Sequence, residues 1–214
     1  MGYKIGSLGR AKKYIDGLVK FDVTNVLTNG NFAIEVDHGW GPIGGSVNVA
    51  AGSNQLTFTE DTATSEHLVQ ATQAGVNALS VAENKIYYRA QMVDNGGLIR
   101  LLNRKSDGAY ESSVGNTIAV GNAGISHGIL TVTSAHANPS ILIRLMGASG
   151  SYLGTGAAYN FTDVMIINMT ALGFNDRTAE EMGNLLDTWF DGTSEVEYND
   201  LFKVRLDYIQ SQLP

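Results

Sequence analysis

The chain has no cysteine, only 3 prolines in 214 residues, and a charged fraction of 16%. Without a thiol it holds no disulfide framework, no thiolate zinc site and no cysteine nucleophile. Low charge combined with 43% hydrophobic residues is the reverse of the composition that keeps a chain disordered, so it folds. No stretch approaches the roughly 18 consecutive apolar residues that span a bilayer. The opening MGYKIGSLGRAKKYIDG has no apolar segment after its charges, so neither membrane insertion nor export by a signal of its own is expected. Its length suits one large all-β domain, or one domain with appendages, that buries roughly 70% of its unfolded surface.

Positive charge is also scarce. The net charge is −7, and Lys4, Arg10, Lys12, Lys13 and Lys20 are followed by no Lys or Arg until Lys85. The acidic balance argues against a nucleic-acid partner, because tracking phosphates requires clustered Lys and Arg. The basic N-terminal arm either docks on an acidic partner or is a short solvated helix. Within it, Leu8, Ala11, Ile15 and Leu18 recur at spacings of three, four and three, the a/d pattern of a helical seam. Gly9 and Gly17 interrupt the seam, each weakening a helix by about 1 kcal/mol. A helix this short needs partners, and it finds them either on its own body or in copies of itself.

From about Val26 to Thr170 the text is strand-like. The runs SVNVAAG, NQLTFTE, KIYYRAQM, GLIRLLN, NTIAVG, GILTVTS, SILIRLM and VMIINMT are separated by turn-rich stretches with Asn-Gly, Gly-Gly, Asp-Gly and Asn-Pro. This many short strands at regular spacing predict an antiparallel β-sandwich or barrel, with the 25 glycines serving its turns. In KIYYRAQM, Ile86, Tyr88, Ala90 and Met92 share one face and Tyr87, Arg89 and Gln91 the other. Leu98-Ile99-Arg100-Leu101-Leu102 resembles Leu142-Ile143-Arg144-Leu145-Met146. Two core strands of one sandwich explain that likeness better than an internal repeat does. After Thr170 the period changes. Thr178 and Glu181 form a capping box, and Met182, Leu185, Leu186, Trp189 and Phe190 make one apolar stripe, an amphipathic helix ending at Asp191-Gly192. The tail from Tyr198 to Pro214 fits strand or helix.

Catalytic constellations are missing. His38, His67, His127 and His136 form no metalloprotease pair and stand beside no nucleophile elbow. Gly39 to Gly45, GWGPIGG, lacks the Lys-Ser/Thr of a phosphate loop. Glu35 with Asp37 and Glu60 with Asp61 are adjacent acids of the solvated kind. The chain therefore reads as a non-enzyme.

Residues 27–41, LTNGNFAIEVDHGWG, resemble the opening of carbohydrate-binding-module-like jelly rolls of the family 4, 9 and 22 type. In order after it, Ile86 to Met92 is similar to that family's tyrosine-rich central strand, and Tyr159-Asn160-Phe161-Thr162-Asp163-Val164 to its closing strand. The resemblance covers about residues 26–170. It implies a jelly roll of two antiparallel sheets that binds glycan by stacking sugars on aromatic rings. Trp40 matches the family's Gly-Trp, commonly a packing residue. Tyr87, opposite the expected core, and Tyr110 and Tyr152, in Gly/Ser-rich loops, are the further glycan-binding candidates. The family also implies a structural calcium. Asn31 replaces the usual acid, which leaves Asp163 and Glu35 as its ligands.

The two ends carry a second resemblance. SLGRAKKYIDGLV is similar to the A-K-K-Y-T-D helices of phage tail-fibre and baseplate proteins, with Ile15 in place of Thr. ALGFNDRTAEEMGNLLDTWFDGT resembles a segment common near the end of phage tail proteins, although Asn175-Asp176-Arg177-Thr178 shortens its loop and removes a proline. The expected organisation is an N-terminal attachment or oligomerisation helix (1–25), a jelly-roll β-sandwich (26–172), and a C-terminal helix and tail (173–214). The expected function is that of a virion structural protein in a tail fibre, baseplate or capsid-decoration position. It would be a homotrimer through Leu8, Ala11, Ile15 and Leu18, contacting other virion proteins and displaying the sandwich to host-surface glycan. The alternatives are a joining or decoration protein without sugar affinity and, behind it, a polysaccharide-degrading enzyme.

Overall fold

The structure, a computed structural model, describes residues 25–28, 30–32, 40–43, 45–49, 54–60, 68–147 and 155–186. The expected seam at Leu8, Ala11, Ile15 and Leu18, the stripe residues Trp189 and Phe190, and the tail lie outside the described residues.

Among the described residues there are ten strands and three short helices, and the strands form two antiparallel sheets. The strands are β1 (Gly41–Ile43), β2 (Gly45–Val49), β3 (Leu56–Glu60), β4 (Leu68–Ala71), β5 (Lys85–Asp94), β6 (Leu98–Arg104), β7 (Tyr110–Val114), β8 (Gly124–Thr131), β9 (Ile141–Met146) and β10 (Ala158–Asn168). One sheet has the order β1-β4-β9-β6-β7 and the other β2-β3-β10-β5-β8. Consecutive strands repeatedly switch sheets, as in a jelly roll. The helices are α1 (Ala74–Asn77), α2 (Met169–Leu172) and α3 (Ala179–Leu186).

Period-two alternation decides what enters the core. On β5, Ile86, Tyr88, Ala90 and Met92 turn inward, as expected, to meet Ile99 and Leu101 of β6, Ile141, Ile143 and Leu145 of β9, and Phe58, Tyr159, Phe161, Val164 and Ile166 from β3 and β10. The Tyr88 hydroxyl donates to Ser113 Oγ (2.7 Å), which donates to the Ile129 carbonyl (2.7 Å), so polar groups join the two sheets within the core. Burial pushes the Tyr88 phenol up to about 12, against the lowering influence of the Ser113 hydrogen bond and the Arg100 charge.

The segment before β1 is pinned to β10. Asn25, 4% exposed, donates from Nδ2 to the Val164 carbonyl (2.9 Å), while its Oδ1 accepts from the amides of Leu27 (3.1 Å) and Ile166 (2.9 Å). Gly30 lies so close that a Cβ there would stand 2.1 Å from the Val164 carbonyl oxygen. This contact falls where β10 shifts register, between Thr162 and Met165, and where Asp163 takes a left-handed φ of 49°.

Three strand expectations change. NTIAVG is no strand: Ile118 makes a single bridge to Gly97, and Val120 is left 46% exposed in the β7–β8 connection. VMIINMT ends as a strand at Asn168, whose side chain accepts from the Ala171 amide (3.1 Å) and starts α2. The segment around Tyr110, expected as loop, is edge strand β7. Its sequence YESSV is polar on both faces and so carries no apolar alternation, but five register pairs hold it to β6.

Candidate functional site

The outer faces of the two sheets differ. That of β2-β3-β10-β5-β8 is covered by helix. α3 starts at the expected capping box, with the Thr178 amide donating to Glu181 Oε2 (2.8 Å) and the Glu181 amide to Thr178 Oγ1 (3.2 Å). That hydrogen bonding holds the Glu181 carboxyl below the usual carboxylate range. The helix seats Met182 in a second apolar cluster with Tyr87, Met165, Ile167, Met169, Leu172 and Phe174. Gly183 allows the close approach, since a Cβ there would meet His127 Nδ1 at 3.0 Å.

Burial removes two of the expected glycan-stacking rings from the surface. Tyr87 does lie opposite the main core, but α3 and α2 close over it, leaving it 0% exposed with its ring edge-on to His127 at 6.1 Å. Trp40 is 3% exposed, inside the main core and edge-on to Phe32 at 6.0 Å. Neither ring offers a face to solvent. Tyr152 and Glu35 lie outside the described residues.

Among the described residues, no helix packs on the outer face of β1-β4-β9-β6-β7. The two sequence runs that look alike explain how this face is built. β6 and β9 are direct partners, with Leu98 opposite Met146, Arg100 opposite Arg144 and Leu102 opposite Leu142. Because Ile99, Leu101, Ile143 and Leu145 point into the core, alternation sends these six residues outward. The register continues as one row across all five strands: Gly41, Gln70, Arg144, Arg100 and Val114. Arg144 Nε donates to Gln70 Oε1 (2.8 Å), and Arg100 Nη2 donates to Ser112 Oγ (3.0 Å). Further along β6, Arg104 stands opposite Tyr110 of β7, whose ring is 46% exposed. Leu98 (5% exposed) and Leu102 (6%) belong to neither apolar cluster but are buried, so the apolar surface this face offers beside the arginines is that of half-buried Leu142 and Met146.

Sequence reasoning missed these arginines. The signal was present, as one Arg at the centre of each similar run, but only the register places one beside the other.

This face offers C–H surface, planar guanidinium donors and one aromatic ring. Among its described outward positions there is no carboxylate or histidine. Asp163, an expected calcium ligand, lies at the register shift of β10, and its expected partner Glu35 is outside the described residues. The Asp163 carboxyl is raised by burial, against lowering by the Thr162 hydroxyl and the Arg89 guanidinium. Among the described residues, no three acidic or imidazole groups converge on one point.

No family model matches the sequence, and no curated protein matches it. Solved structures do share its fold. The chain is similar to the CBM22-1–GH10 modules of Clostridium thermocellum xylanase 10B, solved with xylohexaose, at 10% identity and a TM-score of 0.50, over 70% of this chain and 29% of that one. It is also similar to the CBM22-1 xylan-binding domain of Paenibacillus barcinonensis Xyn10C, at 14% identity and TM-score 0.49, over 70% of this chain and 97% of that domain. A further match is the enzymatically active domain of bacteriophage CBA120 tailspike protein 4, at 15% identity and TM-score 0.46, over 68% of this chain and 21% of that one. At these identities the likeness speaks to fold: the chain is an antiparallel jelly-roll sandwich, a fold it shares with those modules.

Proposed function

We propose that this protein is a non-catalytic glycan-binding module and that it binds sugar on the outer face of the β1-β4-β9-β6-β7 sheet. The observation that carries this reading is the face itself, on which no helix packs among the described residues, with exposed Tyr110 at one end, half-buried Leu142 and Met146, and fixed polar groups at Gln70, Arg100 and Arg144. A sugar ring has apolar faces and a polar equator, and such a surface matches both. The jelly-roll fold, shared with modules that bind xylan, supports the same class of ligand. The two ends of the sequence, similar to phage tail segments, support a place for the module in a virion, as a homotrimer that presents the sandwich to glycan on the host surface.

A glycan array probed with the full chain and with Tyr110→Ala tests the reading. Loss of a half-exposed ring leaves folding within about 0.5 kcal/mol, so the melting temperature stays and array signal falls. An array without signal for the parent chain, or signal unchanged in the variant, removes this face as the site.

A further inference from the structure

Resting on that reading, we infer that the glycan is acidic, and that Arg100 and Arg144 clamp its carboxylate. Arg100 and Arg144 are directly opposite on neighbouring strands, which sets their Cβ atoms about 4.5–5.5 Å apart. Like charges in that position repel, so the pair costs stability unless an anion lies between them. Among the described residues, no anion does so. Arg144 meets the neutral Gln70 amide and Arg100 the neutral Ser112 hydroxyl, and the Arg100 Nε is buried without a hydrogen-bond partner. Lys105, by contrast, has Asp107 at 3.1 Å.

The whole face has the same character. Its described outward positions hold Arg100, Arg104 and Arg144 and no Asp or Glu, although the chain carries a net charge of −7. Glu111, on the adjoining edge strand, is turned away and occupied by Asn103 Nδ2 (2.7 Å) and the Thr133 amide (3.0 Å). A positive sheet face attracts a polyanion. The planar guanidinium fork matches a carboxylate in two-point geometry. Arg104 lies four residues along β6 from Arg100, about 13 Å at strand rise, so a second acidic sugar of the same chain meets a second cation. Half-buried Leu142 and Met146, on either side of Arg144 along β9, suit the C–H faces of sugar rings. A nucleic acid would need a denser track of cations and more stacking rings than Tyr110 alone.

The test is calorimetric titration of the full chain with oligogalacturonate, with its carboxyl-reduced neutral counterpart, and with single-stranded DNA. Arg100→Gln and Arg144→Gln are run alongside. The uronate should bind at least about tenfold tighter than the reduced oligosaccharide, with each variant losing about tenfold for the uronate and little for the neutral form. Relief of repulsion should leave both variants melting no lower than the parent. Equal affinity for the uronate and its reduced form overturns the inference while leaving the glycan reading in place. Absence of binding to either sugar overturns both, and tighter binding to DNA replaces the uronate with a nucleic acid.

Discussion

Gly128 shows what a single residue decides here. It faces Tyr88 across the β5–β8 ladder, and the tyrosine ring lies in the space its missing side chain leaves. A Cβ at 128 would stand 2.4 Å from the Tyr88 hydroxyl oxygen and 2.7 Å from Cζ. Gly128→Ala therefore has to displace a ring whose hydroxyl is held by Ser113, and should destabilise the fold by about 1–3 kcal/mol. Thermal unfolding measures this, and an unchanged melting temperature would show that the ring moves freely. In the sequence Gly128 reads as turn punctuation before a strand. Its use inside β8 is invisible there, because it depends on which residue sits opposite. Tyr87 fails differently. Alternation places it correctly on the far side of β5, yet whether that side meets water depends on where the chain after Asn168 folds back. Met182 then arrives from 95 positions downstream.

At the scale of elements, legibility followed the strength of local pattern. β5, β6 and β9 carry long apolar runs and α3 a full capping box, and all four are where the sequence puts them. β7 was missed because its residues Tyr110 to Val114 alternate only between exposed and half-buried. NTIAVG misled in the opposite sense, since its apolar residues are Ile118, bridged to Gly97, and the exposed Val120. The likeness of β6 and β9 turns out to be a pairing, in which matched residues face each other and double the charge at one point. The N-terminal element is argued from sequence alone: Leu8, Ala11, Ile15 and Leu18 make a two-heptad seam too short to be stable unpartnered. Multi-angle light scattering should give a trimer mass for the intact chain and a monomer mass for a chain lacking residues 1–20. A monomer in both excludes the seam as an oligomerisation device.

For the molecule as a whole, the two sheets divide the work. One outer face is covered by α2 and α3 through Tyr87, Met165, Ile167 and Met182, while the other has no helix on it among the described residues. Charge is divided in the same way, with an acidic chain carrying a basic face on β6 and β9. Composition, turn chemistry and alternation were enough to reach an antiparallel sandwich or barrel, and the resemblance carried by residues 27–41, 86–92 and 159–164 narrowed it to a jelly roll. The site was only half legible. The aromatic residues named from sequence separate into Tyr110 at the surface and Trp40 and Tyr87 inside, and the arginines emerge only once the register is known. The account stands on where sugar touches the protein. Two-dimensional amide spectra of the nitrogen-15-labelled protein titrated with oligogalacturonate measure that directly. The perturbed amides should belong to β4, β6, β7 and β9, centred on Arg100, Arg144 and Tyr110. Perturbations confined to β3, β5, β8 and β10, or none at saturating sugar, would contradict it.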